Sequence, residues 1–282
     1  MKTVKIAGQT VPAIGIGTWH MGDDATQRAT EIAAIQAGIA TGARVIDTAE
    51  MYGSGRAESL VGEALQSLDR NQIFLISKVL PENASKHRME ASLDASLQRL
   101  RTDHVDLYLY HWRGSVPLAE TVAELQRLQR TGKIRAWGVS NFDVADLQEL
   151  WALPGGDQAA ANEDLYHLGS RGLDYAVLPW QADHDLPLIA YSPIAQGDSW
   201  GQNLATNETV IQIATAHHVT VYQVLLAWAI RNPQILAIPQ TSSVAHMTQN
   251  IAAGKLTLTP AELAALDQQF PRPTKKEALD TI

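Results

Sequence analysis

The chain has 282 residues, a formal net charge of -8 at pH 7 and no cysteine. The missing cysteines exclude disulfides, thiolate zinc sites and cysteine nucleophiles, and the acidic balance argues against a nucleic-acid partner. A hydrophobic share of 45% with 18% charged residues is typical of a globular protein with a substantial core. No apolar run approaches the length of a signal peptide core or a membrane span, so we expect a cytoplasmic protein with no membrane partner.

The order of apolar and turn-forming residues predicts a small hairpin followed by regular alternation of strands and helices. The hairpin runs from Val4 to Val11, around Gly8 and Gln9. The predicted strands cover residues 13–19, 44–48, 73–79, 104–112, 134–141, 159–165, 186–192 and 235–239. The predicted helices cover residues 25–40, 57–68, 86–100, 118–131, 143–152, 172–184, 207–217, 220–231, 244–253 and 260–268, before a polar tail at 271–282.

Strands joined by helical crossovers predict a parallel sheet. Eight such units without a linker predict an α/β protein, a (β/α)8 TIM barrel that fills residues 1–282 as a single domain, with the hairpin capping its bottom. An open doubly wound sheet is the alternative, and it would need a glycine-rich phosphate loop after its first strand. Gly15-Ile16-Gly17 is followed by Thr18-Trp19-His20, so the third glycine of G-x-G-x-x-G is missing and the barrel is favoured.

Polar residues follow seven of the eight predicted strands. In a β/α barrel the carboxyl ends of the strands share one rim, where the chemistry takes place. Unpaired polar groups are costly to bury, so polar residues at seven strand ends of one rim favour a functional site over a structural role. These residues are Asp47, Lys78, His111, Ser140, Asn141, Asn162, Glu163, Tyr191, Ser192, Gln240 and Thr241.

The residue types predict proton transfer to a carbonyl oxygen. Asp47 can pair with Lys78, and we expect the lysine charge to lower the pKa of Tyr52, which then acts as a general acid. His111 can donate a neutral N–H to the same oxygen. No side chain supplies hydride, so a nicotinamide cofactor is implied.

The chain resembles the aldo-keto reductase family over nearly its whole length. The segment at 161–172 resembles the bacterial branch that includes methylglyoxal reductases. The matching motifs are GIGTW (15–19), RVIDTAEMYG (44–53), HW (111–112), GVSN (138–141), ANEDLYHLGSRG (161–172), YSP (191–193) and IPQT (238–241).

The resemblance implies a role for each position that matches the family pattern. Tyr52 would be the acid/base, completed by Asp47, Lys78 and His111, while Trp19 and Trp112 would form walls of the substrate pocket. The histidines show no metal-ligand spacing, so no metal site is expected. The implied cofactor-binding residues are Thr18, Ser140, Asn141, Glu163, Tyr191, Ser192, Pro193, Ile194, Gln196, Gly197, Pro239, Gln240, Thr241, Ser242, His246, Gln249 and Asn250.

Two features depart from the family pattern. Glu163 stands where the family usually has a glutamine against the nicotinamide carboxamide, and an ionised glutamate only accepts hydrogen bonds. Gln240 and His246 stand where the family usually offers lysine and arginine to the 2′-phosphate of NADPH. We therefore expect NADPH/NADP+ as cofactor with a reduced preference over NADH, because fixed charges at that phosphate are missing.

The expected activity is NADPH-dependent reduction of small aldehydes and ketones, including methylglyoxal and aromatic aldehydes, by a monomeric enzyme. The loops at 113–117 and 198–204 and the tail after Phe270 are short, so we expect an open pocket with broad specificity. Two alternatives remain: a lyase that forms a Schiff base on Lys78, and a cofactor-binding regulatory subunit that senses redox state.

Overall fold

The computed structural model describes residues 1–195 and 201–282. The chain begins with an antiparallel hairpin of β1 (Thr3–Ile6) and β2 (Gln9–Pro12). Val4, Ile6 and Val11 are buried against residues at the start of the barrel strands, such as Val45 and Phe74. The hairpin therefore covers the end of the barrel opposite the predicted site, as expected.

Eight further strands form one parallel sheet in which every strand is hydrogen-bonded to its neighbour in chain order. All but a few of their residues are buried, as expected for strands covered on both faces. The strands are β3 (Ile16–Gly17), β4 (Val45–Asp47), β5 (Phe74–Val79), β6 (Val105–Tyr110), β7 (Ile134–Ser140), β8 (Asn162–Leu165), β9 (Leu188–Tyr191) and β10 (Ile235–Ala237).

The described helices lie between the strands or after them. The short helix at Gly201–Ala205 was not predicted, and the predicted helix at 172–184 is a 3-10 turn at Gly172–Asp174 followed by a shorter helix. The helices are α1 (Arg28–Thr41), α2 (Arg56–Leu65), α3 (Met89–Leu100), α4 (Leu118–Thr131), α5 (Val144–Trp151), α6 (Val177–Asp183), α7 (Gly201–Ala205), α8 (Glu208–His217), α9 (Val221–Ala229), α10 (Val244–Ala252) and α11 (Pro260–Gln269).

The first and last strands meet and close the sheet. Ile14 forms a parallel bridge with Ala237, and the Gly17 amide donates to the Pro239 carbonyl at 3.0 Å. The predicted first strand, 13–19, is ladder-paired to β4 only at Ile16 and Gly17, and a turn at Trp19 and His20 follows. The closed sheet and its helices confirm the (β/α)8 barrel.

Among the described residues, no single helix is long and apolar enough to cross a membrane. Helices α8 and α9 have the length and composition of a membrane span only when taken together, and they are bent by 97° relative to each other.

Candidate active site

Tyr52 lies in a 3-10 turn, Tyr52–Gly55, that follows β4. Gly53, Ser54 and Gly55 have φ angles of 55°, 54° and 88°. Left-handed conformations cost Gly53 and Gly55 little, although Ser54 between them is not a glycine, and α2 begins directly after this turn. The turn leaves the Tyr52 ring nearly buried, with the residue at the wall of a cavity at the carboxyl ends of the strands.

Lys78, near the end of β5, connects Tyr52 to the Asp47 carboxylate. Its ammonium donates to Asp47 Oδ1 at 2.5 Å, to the Tyr52 hydroxyl at 3.1 Å and to the Thr48 carbonyl at 3.2 Å. The Lys78 side chain is fully buried and that of Asp47 is 2% exposed. The three hydrogen bonds fix the ammonium against the tyrosine oxygen, as the sequence predicted.

The pKa of Lys78 is held above its usual value. Burial lowers the pKa of this ammonium, but the nearby acidic groups, Asp47 first and then Glu163, outweigh that effect and raise it. A Schiff base requires a neutral amine, so this environment disfavours the lyase alternative.

The predicted lowering of the Tyr52 pKa is wrong. Burial raises the pKa of the Tyr52 hydroxyl, and the Lys78 ammonium that acts against burial is itself opposed by Asp47 and Glu163. The sequence shows the lysine but not how far Tyr52 is removed from water. The direction of the Tyr52 pKa shift therefore could not be predicted from the sequence. The hydroxyl consequently holds its proton at neutral pH.

His111 follows β6 and faces Tyr52 from across the cavity. The two ring centroids are 5.9 Å apart in an edge-on arrangement. Burial, followed by the Lys78 charge, lowers the pKa of His111 well below its usual value, so the ring is neutral as expected. Its Nδ1 has no hydrogen-bond partner among the described residues.

A second polar cluster lies at the ends of β7 and β9. Asn141 has a left-handed φ of 58° and donates through Nδ2 to the His111 carbonyl at 3.0 Å. Its Oδ1 accepts from the Tyr191 hydroxyl at 2.9 Å, and the Ser140 hydroxyl donates to the Glu163 carbonyl at 2.8 Å. These contacts tie the ends of four strands into one polar wall beside Tyr52 and Lys78.

Glu163, on β8, is fully buried and belongs to both clusters. Its Oε1 lies 3.3 Å from the Lys78 ammonium, while Oε2 has no hydrogen-bond partner among the described residues. Burial, then the charge of Asp47, raises the pKa of Glu163 well above its usual value. Burial and the neighbouring Asp47 thus oppose the ionised form of Glu163 that the sequence analysis assumed, and Lys78 is already paired with Asp47.

The predicted residues enclose one cavity of about 730 Å³. Trp19 and Trp112 both line it, and Trp19 also packs beside Tyr52. The other predicted residues in its wall are Thr18, Asp47, Tyr52, His111, Ser140, Asn141, Glu163, Tyr191, Ser192 and Gln240.

The tail after Phe270 does not leave the cavity as open as expected. Thr281 and Ile282 line the cavity, where the sequence had placed no site residue. Asp280 accepts a hydrogen bond from the Ser170 hydroxyl at 2.5 Å and thereby holds the end of the chain in place. No periodic pattern marks this segment, so its return to the rim could not be predicted.

The remaining predicted cofactor residues lie away from that wall. Pro193 and Ile194 are buried in the turn after β9, and Gln196 and Gly197 lie outside the described residues. Pro239, Thr241 and Ser242 lie between β10 and α10, whose residues His246 and Gln249 are exposed while Asn250 is buried. Of these, Thr241 and Ser242 are polar residues between the cavity-lining Gln240 and α10.

The site suits a nicotinamide carboxamide. The unpartnered Glu163 Oε2 offers a buried hydrogen-bonding atom beside Ser140 and Asn141, and the half-buried Tyr191 ring borders the same space. Among the described residues, no group of three or more histidine, aspartate or glutamate side chains could hold a metal ion.

Comparison with known proteins agrees with this arrangement. The aldo/keto reductase family model matches residues 13–269. Methylglyoxal reductase YeaE of Escherichia coli is 51% identical over 282 residues, which cover 100% of this chain and 99% of that protein. Methylglyoxal reductase DkgB of Salmonella typhi is 31% identical over 266 residues, covering 92% of this chain and 94% of that protein.

An aldo-keto reductase from Klebsiella pneumoniae, solved in complex with NADPH, superimposes with a TM-score of 0.97. It is 49% identical in sequence, and the match covers 100% of this chain and 99% of that one. These similarities, together with the barrel and its rim, show that the chain belongs to the aldo/keto reductase family and is an oxidoreductase.

Proposed function

We propose that this protein reduces small aldehydes and ketones, including 2-oxoaldehydes such as methylglyoxal and aromatic aldehydes, to alcohols at the expense of NADPH. The observation that carries this proposal is the buried Lys78 ammonium, which lies 3.1 Å from the Tyr52 hydroxyl beside a cavity that suits a nicotinamide. A bound NADPH would supply hydride to the carbonyl carbon.

The side chains handle the proton and the developing charge. Tyr52 keeps its proton at neutral pH and donates it to the carbonyl oxygen as negative charge develops there. Lys78 stabilises the phenolate that remains, and Asp47 orients the ammonium. The neutral His111 ring can donate one N–H to the same oxygen and hold the carbonyl in position.

Two similar proteins are named methylglyoxal reductases, and a similar structure holds NADPH, which supports this substrate class and cofactor. Trp19 and Trp112 give the cavity apolar walls suited to small aliphatic or aromatic carbonyl compounds. Cytoplasmic location and a monomeric state stay predictions.

The activity is tested by following NADPH oxidation with methylglyoxal, an aromatic aldehyde and a simple ketone. We expect turnover with the aldehydes, and faster turnover with methylglyoxal than with the ketone. Absence of turnover with every aldehyde would contradict the proposed function.

We also propose that the preference for NADPH over NADH is modest. Gln240 is half-buried and His246 exposed, and neither is a fixed positive charge. The Ser242 hydroxyl donates to the buried carboxylate of Glu31 at 3.2 Å, which places negative charge close to the predicted phosphate site. This arrangement weakens 2′-phosphate recognition.

The ratio of kcat/KM for NADPH to that for NADH measures this preference. We expect a ratio below a thousandfold, which corresponds to about 4 kcal/mol. The double variant Gln240→Lys, His246→Arg should raise the ratio at least about tenfold, since it restores charge-assisted contacts. A wild-type ratio above a thousandfold would overturn the proposal.

A further inference from the structure

Lys78 faces two buried carboxyl groups instead of one. Asp47 Oδ1 lies 2.5 Å from its ammonium and Glu163 Oε1 lies 3.3 Å from it, and both acidic side chains are 2% exposed. Two ionised carboxylates and one ammonium would leave a net negative charge in this desolvated site, and an uncompensated buried charge costs several kcal/mol.

The unsatisfied oxygens locate the missing proton. Asp47 Oδ2 and Glu163 Oε2 are both buried and have no hydrogen-bond partner among the described residues. The Asp47 and Glu163 side chains are in hydrogen-bonding contact with each other, so one proton held between them removes the excess charge and supplies the donor that the two carboxyl groups lack. Since Asp47 is closer to the ammonium, the charge stays on Asp47 and the proton on Glu163.

We propose that Glu163 carries a proton shared with Asp47 in the unliganded protein, and that this proton is released to solvent when the oxidised nicotinamide binds. The inference rests on the nicotinamide use proposed above. The titratable groups that face Glu163 are Asp47, Lys78, Tyr52 and Tyr191. Burial and the Asp47 charge raise the pKa of Glu163, which agrees with the geometry.

The two cofactor forms interact differently with this proton. A protonated Glu163 can donate as well as accept, so it can replace the glutamine that the family usually places against the carboxamide. The reduced ring is neutral and leaves the proton in place. The oxidised ring is positively charged, and it favours the ionised carboxylate beside it. Binding of NADP+ therefore releases one proton, whereas binding of NADPH releases none from this residue.

The test compares the wild type with Glu163→Gln, whose amide keeps the shape of the side chain but has no proton to release. Dissociation constants for NADP+ and NADPH are measured by tryptophan fluorescence across about pH 6 to 9, and proton release by calorimetry in two buffers of different ionisation enthalpy. The 2′-phosphate is common to both cofactors, so its titration cancels in the ratio of the two constants.

In the wild type we expect the affinity for NADP+ relative to NADPH to rise with pH, by up to about tenfold per pH unit. In Glu163→Gln the ratio should be flat, with no difference in proton release between the two cofactors. Equal pH dependence in both proteins overturns the inference while leaving the reductase proposal intact. Failure of both cofactors to bind overturns both.

An infrared measurement checks the unliganded state without any cofactor. The infrared spectrum of the wild type should show more absorption from protonated carboxyl groups near neutral pH than that of Glu163→Gln, since the buried Asp164 carboxyl is common to both proteins and cancels in the difference spectrum. Identical carboxyl bands in folded samples of the two proteins would show that Glu163 holds no proton.

Discussion

At the scale of single residues, the site is governed by competition between desolvation and charge. Burial lowers the pKa of Lys78, yet the charge of Asp47, the strongest opposing effect, holds it as an ammonium. Burial also keeps Tyr52 protonated although that ammonium lies beside it. Lys78 is thus positively charged and Tyr52 is protonated. This combination suits donation of a proton from Tyr52 to a developing alkoxide.

Asp164, the neighbour of Glu163, is a second buried carboxyl group and makes stability depend on pH. Asn162 donates to its Oδ2 at 2.6 Å, and Oδ1 has no partner in the described part of the chain. Burial raises the pKa of Asp164 well above its usual value. The native state therefore retains a proton that the unfolded chain loses above about pH 4, and stability falls as pH rises toward the native pKa.

We expect Asp164→Asn to remove this contribution. The Tm of the wild type should fall more between about pH 5 and pH 8 than the Tm of the variant, measured by thermal unfolding. Asp157→Asn, at an exposed position, is the control and should follow the wild type. Parallel curves for all three proteins would show that Asp164 is ionised in the native state.

At the scale of elements, a buried arginine joins the segment after β8 to helices α9 and α11. Arg171 donates to Asp174 at 2.8 Å, to Asp267 at 2.8 Å and to the Phe270 carbonyl. Its guanidinium lies 5.1 Å from the centre of the Trp228 ring, and its side chain is 4% exposed. Removing one partner of such a network leaves buried acceptors without a donor.

Arg171→Met should lower the free energy of unfolding by about 3 kcal/mol, measured by urea denaturation. Arg272 gives a matched control, since its Nε lies 3.9 Å from the same Asp174 carboxylate but its side chain is 64% exposed. Arg272→Met should cost less than about 1 kcal/mol. Equal losses in the two variants would contradict the special role of the buried arginine.

At the scale of the whole molecule, the barrel closes where two backbones approach closely. A Cβ added to Gly17 would lie 2.5 Å from the Ile238 carbonyl oxygen, too close for any unshifted side chain. The same contact brings the first strand of the barrel against the segment after β10, next to the cavity. The close approach of Gly17 to Ile238 therefore affects both the closure of the barrel and the shape of the cavity.

Gly17→Ala should therefore lower the free energy of unfolding by about 2 kcal/mol, measured by urea denaturation, because the strands must separate. Gly172→Ala is the control: its added Cβ would meet its nearest neighbours at 3.7 Å, an ordinary contact. If Gly17→Ala has the same free energy of unfolding as the wild type, the first strand and the segment after β10 move apart without cost, which would contradict this prediction.

The eight strands, the order of most helices and the meeting of Asp47, Tyr52, Lys78 and His111 at one rim could be predicted from the sequence, because periodicity marks the elements and polar residues mark the strand ends. The pKa of Tyr52 could not, since it depends on how far Lys78, Asp47 and Glu163 are removed from water. The return of Thr281 and Ile282 to the cavity likewise depends on tertiary contacts made by an irregular segment.

The central claim is that Tyr52 donates the proton, and Tyr52→Phe tests it most directly. We expect kcat for methylglyoxal reduction to fall at least about 100-fold, with the dissociation constant for NADPH nearly unchanged, because the change removes only the hydroxyl. Tyr175→Phe, at an exposed tyrosine, should leave both quantities at wild-type values. Near-normal turnover by Tyr52→Phe would show that another group supplies the proton.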